Sequence, residues 1–586
     1  MVNLTKPSAI ICRLPSVVWL FLGALCYYLA LPPVNFAPLA LAVPICWGIV
    51  ILAQERGGIS PPVQCPLVQC PSIKWYWIYL TAFLFWLASI WWVACPYPPL
   101  TALGMFALVV YLSLYWVLFF VSARVAVHRF RIPLLVAMPV CWIGTEYWRC
   151  NVVLGGFSFC SLEHAFYQYP ILIQFASIGG SLLVGGIIML IGAAFVTMFS
   201  RVTKPHNVLD IIAYICIPSL PLLICIGGLR MMLVNIPAKG DVKYYTIVAL
   251  QGDRQIRLTS TPKEIDETFQ QFRELTYQAA GEKPDLIIWP ETVCPIPVLL
   301  FEGSVTPADV GLTDEEATSW ETEFCRFVQH IETPVIFGLS TYIFKDDPEK
   351  PIRLNSALLV EPHNVQLHGG DELGKIYRYD KMHLVMFGEY IPFTEYLPDN
   401  FFLKTLCPEA EHGSKPVAFP IGARSVGQGS EPIMTSVNIC FESTIAPLIR
   451  RQILTLRKEG HDPRVLINLS NDGWFRFSQQ IEQHLATHVF RAVENGMWYA
   501  TATNGAFSAI IQPNGTIASI GKRGTAESVA GTISVDFSKE HADTFYLKYG
   551  DWYALLFGLI VLGLAVEGVR RQKSGDRINN RAGESE

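Results

Sequence analysis

Glu291, Lys381 and Cys440 have the side-chain types that acyl chemistry through a thiol requires: a carboxylate base, a fixed cation and a nucleophile. A thiol attacks only as the thiolate, so it needs a base, a cation or backbone N–H groups beside it. Glu291 ends the run Asp-Leu-Ile-Ile-Trp-Pro-Glu (Asp285 to Glu291) and Lys381 lies in the segment Tyr379 to Pro392. Cys440 follows the strand-like run Met434 to Ile439 and begins Cys-Phe-Glu. Each position is therefore expected where a strand ends. In that arrangement Glu291 takes the thiol proton. Lys381 meets the oxyanion formed when the thiolate attacks an acyl carbonyl, and a preorganised donor of that kind is worth roughly 3–4 kcal/mol. A helix-like segment directly after Cys440 would turn backbone N–H groups toward the sulfur. Taken one at a time, the three residues have plainer readings as a packed thiol, a helix cap and a solvated cation.

The elements that must position them read as an α/β layered domain. Strand-like runs rich in β-branched residues fall at Tyr244–Leu250, Leu286–Trp289, Val335–Leu339, Ser356–Val360, Met434–Ile439, Val465–Leu469, Tyr499–Thr503, Ser508–Gln512 and Val529–Val535. Helical stretches at Pro262–Ala280, Thr318–Ile331, Pro447–Lys458 and Gln479–Glu494 alternate with them. Pro-Asn-Gly at Pro513–Gly515 marks a hairpin turn between the late strands.

The rest of the chain is of a different kind. Over 586 residues the composition is 52% hydrophobic and 16% charged, with a mean hydropathy of +0.35. That is the composition of a membrane protein. A net charge of -5 on so long a chain argues against a nucleic-acid partner. The apolar residues concentrate before about Val234, and the stretch from about Lys239 to Tyr549 reads as an ordinary soluble domain. A spanning helix needs about 20 mostly apolar residues. Candidates are Val17–Leu31, Leu39–Leu52, Trp75–Ala94, Leu103–Val121, Pro133–Ile143, Leu172–Phe199, Ile211–Val234 and, after the soluble part, Trp552–Val566. The second and fifth are short. The first is no cleaved signal peptide, since Pro32-Pro33 and another apolar run follow it without a small-residue cleavage site.

Positive charges orient these spans. Lys6 and Arg13, then Arg56 and Lys74, then Arg124, Arg129 and Arg131, then Arg201 and Lys204 occupy alternate loops, and Arg570, Arg571, Lys573, Arg577 and Arg581 follow the last span. Arg149 is the exception to the alternation. Seven spans from a cytoplasmic N-terminus put the soluble domain outside, and the eighth returns a basic tail to the cytoplasm. The expected division is residues 1–235 as a membrane domain, 236–547 as an extracytoplasmic catalytic domain, and 548–586 as a final span and tail. The tryptophans Trp75, Trp77, Trp86, Trp91 and Trp92 read as interfacial anchors and helix packing. Gly-Gly at Gly179-Gly180 and Gly185-Gly186 reads as close helix packing.

The fifteen cysteines form no disulfide framework. Cys26, Cys46, Cys141, Cys216 and Cys225 lie in apolar runs, Cys65 and Cys70 share a loop with no neighbouring histidine, and Cys294, Cys325 and Cys407 in the soluble part leave pairing open. His484 and His488, four apart on an expected helix, lack the glutamate of a zinc protease motif and read as one-faced packing. No metal, nucleotide loop or other cofactor is expected.

The three candidate residues stand inside longer motifs in a fixed order. These are Trp-Pro-Glu at 289–291, Tyr-Asp-Lys at 379–381 with Phe-Gly-Glu-Tyr-Ile-Pro at 387–392, Ile-Cys-Phe-Glu at 439–442, and Asn-Leu-Ser-Asn-Asp-Gly-Trp-Phe at 468–475. The set resembles the Glu-Lys-Cys triad of the nitrilase superfamily. Gln483-His484 followed by Arg491 to Glu494, and the seven-plus-one layout of apolar runs, resemble its membrane-embedded branch, the apolipoprotein N-acyltransferases. The resemblance implies a multi-pass α-helical membrane domain joined to a four-layer αββα nitrilase-like sandwich. It implies two-step transfer of a phospholipid acyl group, through a cysteine thioester, to the α-amino group of a lipoprotein's diacylglyceryl-cysteine. It implies Glu291 as base, Lys381 as oxyanion stabiliser and Cys440 as nucleophile, with Glu389 supporting Lys381 or the base and Glu442 a further residue in or beside the pocket. It further implies a monomer in the bacterial inner membrane with its catalytic domain on the periplasmic side.

Several positions depart from the family pattern. Met386 stands for a usual Pro, Phe441 for Tyr, Asp253 for Asn and Thr501 for Arg, and Arg476 follows Gly-Trp-Phe in place of Gly. Two other readings remain at this point. A membrane-tethered amidase acting on a small amide needs only one span. A silent scaffold or transporter would not be expected to keep all three site residues, and transporters carry ionisable groups within their spans.

Overall fold

The computed structural model describes residues 14–53, 73–98, 100–200, 220–235, 242–257, 260–362, 377–391, 410–422, 432–475, 478–537 and 543–583. Cys65, Cys70, Cys216, Cys407, Arg476 and the start of the expected seventh span at Ile211 lie outside the described residues. The chain forms two compact units, Met1–Val234 with Thr544–Glu586, and Asn235–Asp543.

The first unit is helical. Among the described residues three of its helices, Leu100–His128, Ala176–Phe199 and Trp552–Arg570, are long and apolar enough to cross a membrane. Ser16–Ala30, Ala37–Leu52 and Trp75–Ser89 are shorter apolar helices, and Leu134–Tyr147 and Leu220–Asn235 fall where spans are expected. Two boundaries differ from the apolar runs. The run from Leu172 breaks after Ile173, and its long helix starts at Ala176. The tryptophan-rich run ends its α-helix at Ser89 and continues as a 3-10 turn over Trp91–Ala94. Gly186 faces Ile143 with no room for a Cβ, the close packing expected of Gly185-Gly186, whereas Gly179 and Gly180, the latter at φ 72, break the helix instead of packing it.

Arg149, the charge that breaks the basic-loop alternation, is fully buried in this unit. Its Nε donates to Glu146 Oε1 at 2.9 Å, its Nη2 pairs with Glu146 Oε2, and its Nη1 donates to the Phe159 carbonyl at 2.9 Å. The guanidinium lies 5.2 Å from the centre of the Trp86 ring. A cation so fully engaged has no stake in which side of a membrane it faces, so it falls outside a rule that counts solvated loop charges.

The second unit is built on strands β1 (Val242–Gly252), β2 (Leu286–Ile288), β3 (Val298–Phe301), β4 (Val335–Phe344), β5 (Ile352–Val360), β6 (Tyr377–Asp380) and β7 (Ala418–Ile421). It continues with β8 (Ile433–Ile439), β9 (Pro463–Asn471), β10 (Trp498–Asn504), β11 (Ala509–Ile511), β12 (Ile517–Ile520) and β13 (Glu527–Asp536). Its longer described helices are α1 (Pro262–Ala280), α2 (Ser319–Ile331), α3 (Ala446–Lys458) and α4 (Gln480–Asn495). Thirteen strands join in one sheet whose main order is β6-β5-β4-β2-β1-β10-β9-β8-β7, with β13 antiparallel along β1.

Period-two alternation sorts the side chains into layers. Tyr245, Ile247 and Ala249 of β1 meet Leu286 and Ile288 of β2, Val437 and Ile439 of β8, and Ile467 of β9 in an inner core. The residues between them, Val248, Leu250, Ile287 and Trp289, face outward onto Phe272 and Leu275 of α1 and Phe324 and Val328 of α2. Helices α3 and α4 lie against the other half of the sheet, on β8, β9 and β10. This is the helix–sheet–sheet–helix layering that the resemblance implies. All four helices start within a residue of their expected positions; α1 carries the strongest signal, a capping box in which Thr261 and Glu264 satisfy each other's backbone N–H groups and Pro262 sits at N1. The short strands β3, β6, β7 and β12 had no clear alternating run to announce them, because each has four residues held by a neighbour rather than by its own pattern.

Candidate active site

Strand direction brings the three residues to one edge. β2 runs parallel to β4, β4 antiparallel to β5, and β5 antiparallel to β6, so β2 and β6 point the same way. The parallel series β2, β1, β10, β9, β8 carries that direction to β8. Glu291 lies three residues after the end of β2, Lys381 directly follows β6, and Cys440 directly follows β8. All three thus lie at the carboxyl ends of strands, where open α/β sheets place their sites.

Lys381 is the hub. Its Nζ donates to Glu291 Oε1 at 3.1 Å and to Glu389 Oε1 at 2.9 Å, and its side chain is only 1% exposed. Burial alone would lower its pKa, but the Glu291 and Glu389 carboxylates outweigh that and hold it well above 10.5. It is a permanent cation. Asn355 on β5 ties the two carboxylates together, its Nδ2 donating to Glu291 Oε1 at 2.7 Å and to Glu389 Oε1 at 2.9 Å. Glu291 Oε2 accepts from the Asn471 backbone N–H at 3.0 Å, and Asn471 Nδ2 returns a bond to the Glu291 carbonyl at 3.1 Å. Glu389 Oε2 accepts from the Val385 N–H at 2.9 Å. Burial would raise the Glu389 pKa; Lys381 and these donors turn the balance and hold it below 4.5.

Cys440 stands at φ 51 between β8 and a 3-10 turn over Cys440–Thr444. A left-handed backbone at a non-glycine residue costs about 1–3 kcal/mol and persists only where its surroundings enforce it. This 3-10 turn is the helix-like segment expected directly after the cysteine, and α3 starts at Ala446 with Pro447 in its first turn, as expected. Burial and the Glu291 charge push the thiol pKa well above 9, and Lys381 opposes them. A carboxylate and a cation therefore act on this thiol in opposite senses.

Glu442 does not line a pocket. It is fully buried, and its carboxylate accepts from the N–H groups of Ile439 (2.7 Å), Met382 (2.7 Å) and His383 (2.9 Å) and from the Tyr379 hydroxyl (2.8 Å). It thereby locks the cysteine turn to the segment carrying Lys381. Burial pushes its pKa up to about 7 against those donors. Gln452 of α3 steadies the Tyr379 hydroxyl at 2.7 Å. Asn355 and Asn471 were missed from sequence. Asn471 stood in a quoted motif, and Asn355 had one signal, an amide within an otherwise β-forming run.

Close approach at Glu291 depends on Gly338 of β4. A Cβ there would lie 2.7 Å from the Glu291 Cα and would strike the Pro290 carbonyl. Gly338→Ala should therefore displace Glu291 and lower turnover by about 10²-fold, the scale of a 1 Å misplacement, while circular dichroism shows the fold retained. Wild-type turnover in a folded Gly338→Ala protein would remove the role given to this contact.

Of the departing positions, Phe441 stacks on His383 with ring centroids 6.0 Å apart, and burial lowers the His383 pKa to about 4. Asp253 accepts from Gln271 Nε2 at 2.9 Å, and Thr501 is buried on β10. Cys294 and Cys325 are separate buried free thiols.

Residues 248–542, half of the chain, match the family described as carbon-nitrogen hydrolase. The chain belongs to this family. Residues 23–194 match the apolipoprotein N-acyltransferase N-terminal domain, so the resemblance seen in the motifs is borne out in both parts of the chain. Among similar proteins is an apolipoprotein N-acyltransferase of Geobacter metallireducens, 28% identical over 82% of this chain and 84% of its own length. Others so named, from Rhodopirellula baltica and Pasteurella multocida, are 24% and 25% identical over 84% and 79% of this chain, and over 90% and 79% of their own lengths.

Proposed function

We propose that the chain is an apolipoprotein N-acyltransferase that works through Glu291, Lys381 and Cys440. The observation that carries the reading is Lys381 held between two carboxylates at the strand ends beside Cys440, in a chain that also bears long apolar helices. Glu291 takes the Cys440 proton as the sulfur attacks the ester carbonyl of a phospholipid. Lys381 stabilises the oxyanion. The ester C–O bond breaks, the lysophospholipid oxygen receives the proton from Glu291, and a thioester remains. The α-amino group of a diacylated lipoprotein then attacks the thioester, Glu291 takes the amine proton, and the thiolate leaves and is reprotonated. Glu389 keeps Lys381 charged and oriented, and Glu442 holds the cysteine turn.

The same reading makes the helical unit a multi-pass membrane domain in the bacterial inner membrane, with the catalytic domain on the periplasmic side and the enzyme a monomer. It is supported by the basic-loop alternation, which the paired Arg149 no longer contradicts. Reporter fusions after Lys239 should behave as exported and fusions after Arg571 as cytoplasmic; the reverse pattern would mean that a short span is miscounted.

Substrate consumption tests the activity itself. Purified protein offered phospholipid and a diacylated lipopeptide should release lysophospholipid and form an N-acylated peptide, and should leave a small amide intact. Consumption of the amide with the phospholipid untouched would replace the reading by a membrane-tethered amidase. The relatives named above, alike over most of their length, favour acyl transfer.

A further inference from the structure

Joined to Cys440 through its backbone carbonyl lies a second arrangement of chemically capable groups that the triad does not use. Ser443, His484 and Asp472 are all buried. The Ser443 hydroxyl lies 2.9 Å from His484 Nε2, and His484 Nδ1 lies 3.2 Å from both carboxylate oxygens of Asp472. Gln480 Nε2 holds Asp472 Oδ1 at 2.7 Å. The order is that of a serine, histidine and aspartate relay. A serine nucleophile needs access, and Ser443 is 0% exposed.

What the hydroxyl touches gives the chain a different use. Ser443 Oγ donates to the carbonyl of Cys440 at 2.9 Å, and it also meets His488 Nε2 at 3.1 Å. A hydroxyl has one proton and two lone pairs. The carbonyl can only accept, so the proton goes there, and the hydroxyl oxygen is shared by His484 Nε2, His488 Nε2 and the Tyr499 hydroxyl. His484 Nδ1 faces a carboxylate, which can only accept, so Nδ1 carries a proton and donates to Asp472. Burial, with His484 and Arg491 nearby, holds His488 well below its ordinary pKa, which suits a neutral ring. The bonded carbonyl belongs to the residue at φ 51, whose backbone must be held from outside. Asn468 Nδ2 supplies a second, longer bond to it at 3.2 Å. The Asp472 charge is also among those that raise the Cys440 thiol pKa, so the hydrogen bond that His484 Nδ1 gives Asp472 bears on the nucleophile.

We propose that Asp472, His484 and Ser443 are positioning residues: the chain fixes the left-handed backbone of Cys440 by its carbonyl and keeps the Asp472 charge from opposing thiolate formation. This rests on the reading of Cys440 as the nucleophile. The charged groups facing the thiol are Glu291 from the end of β2, Lys381 from the end of β6 and Asp472 from the end of β9. Those around the two histidines are Asp472 and, on α4, Arg491, which is paired with Glu494 at 2.8 Å.

Two readouts in the full-length protein test it: the pH profile of Cys440 alkylation by iodoacetamide, followed by mass spectrometry of its peptide, and the rate of acyl uptake from phospholipid vesicles. Ser443→Ala should slow acyl uptake roughly tenfold with little change in the half-saturating phospholipid, and Ser443→Thr, which keeps the hydroxyl, should recover most of it. His484→Gln should move the alkylation midpoint up by about one pH unit, as an uncompensated neighbouring carboxylate does. Adding Asp472→Asn to His484→Gln should bring it back. Loss of packing alone would not reverse on a second substitution. Should His484→Gln fail to fold, Asp472→Asn alone should alkylate with a midpoint at or below that of the parent, and a rise would overturn the proposal. Parental rates and profiles in Ser443→Ala and His484→Gln, or no recovery in the double variant, would also overturn it. If the parent takes no acyl group from phospholipid while the alkylation shifts appear as described, the acyltransferase reading fails and the positioning chain stands.

Discussion

Cys440→Ala is expected to abolish the covalent intermediate completely. Parent enzyme given phospholipid without an acceptor should gain one fatty-acyl mass, and neutral hydroxylamine should remove it, as it removes a thioester. No other described cysteine competes at the strand ends: Cys294 and Cys325 are separate buried thiols that burial holds up to about 12 and about 11. Cys440→Ser should carry no hydroxylamine-labile adduct, because an ester resists the reagent under the same conditions and a serine hydroxyl is far harder to deprotonate. The carboxylates and Lys381 keep their mutual bonds in either variant, so thermal stability should change little beyond the lost thiol contacts. Equal acyl labelling of Cys440→Ala would refute the assignment of the nucleophile.

The pH window of the site follows from its ion cluster. Glu389 is held below its ordinary pKa of 4.5, so its contribution to stability is complete above about that pH and is lost as pH falls through the lower folded value. Lys381 is held above 10.5, so its contribution is complete below about that pH and is lost as pH rises through the higher folded value. Between the two the cluster is intact.

How much of this was readable beforehand differs by element. The long strands and helices of the catalytic unit were legible because periodicity and capping are local: Thr261, Pro262 and Glu264 announce α1 in four residues. Glu291, Lys381 and Cys440 were legible as candidates because each closes a recognisable run. Glu389 was implied by the resemblance as support for Lys381, but Asn355 between the two carboxylates was not legible, since it depends on β4, β5 and β6 lying side by side in space. Glu442 was placed beside a pocket because it follows the cysteine by two, and only the fold shows that its carboxylate turns inward to the N–H groups of Met382 and His383. The buried Asp472–His484–Ser443 chain was hidden for the same reason: a histidine on a helix reads as packing until the turn it meets, some forty residues earlier, is known.

Glu291 and Lys381 should fail in different ways, and the difference separates proton transfer from charge stabilisation. Glu291→Gln removes the base from both half-reactions and should lower acyl-enzyme formation and overall turnover together, by about 10²–10⁴. The substitution also sets an amide nitrogen against a donor in either orientation, since Glu291 Oε1 faces Lys381 and Asn355 and Oε2 faces the Asn471 N–H. Part of the loss is therefore misplacement, and a modest fall in melting temperature should accompany it. Lys381→Ala should also fail in both half-reactions, by about 10²–10³ for the lost oxyanion donor. Its second effect is larger than for Glu291: two carboxylates are left facing each other across Asn355 with no cation, and breaking a buried pair costs about 3–5 kcal/mol. The variant should thus be markedly less stable at neutral pH and recover stability in mild acid, where one carboxylate takes up a proton. Glu389→Gln, which leaves Lys381 paired with Glu291, should lose less than either. Acyl-enzyme formation in Glu291→Gln at the parental rate would refute the base, and a Lys381→Ala protein whose stability ignores pH would show that the two carboxylates do not depend on the cation between them.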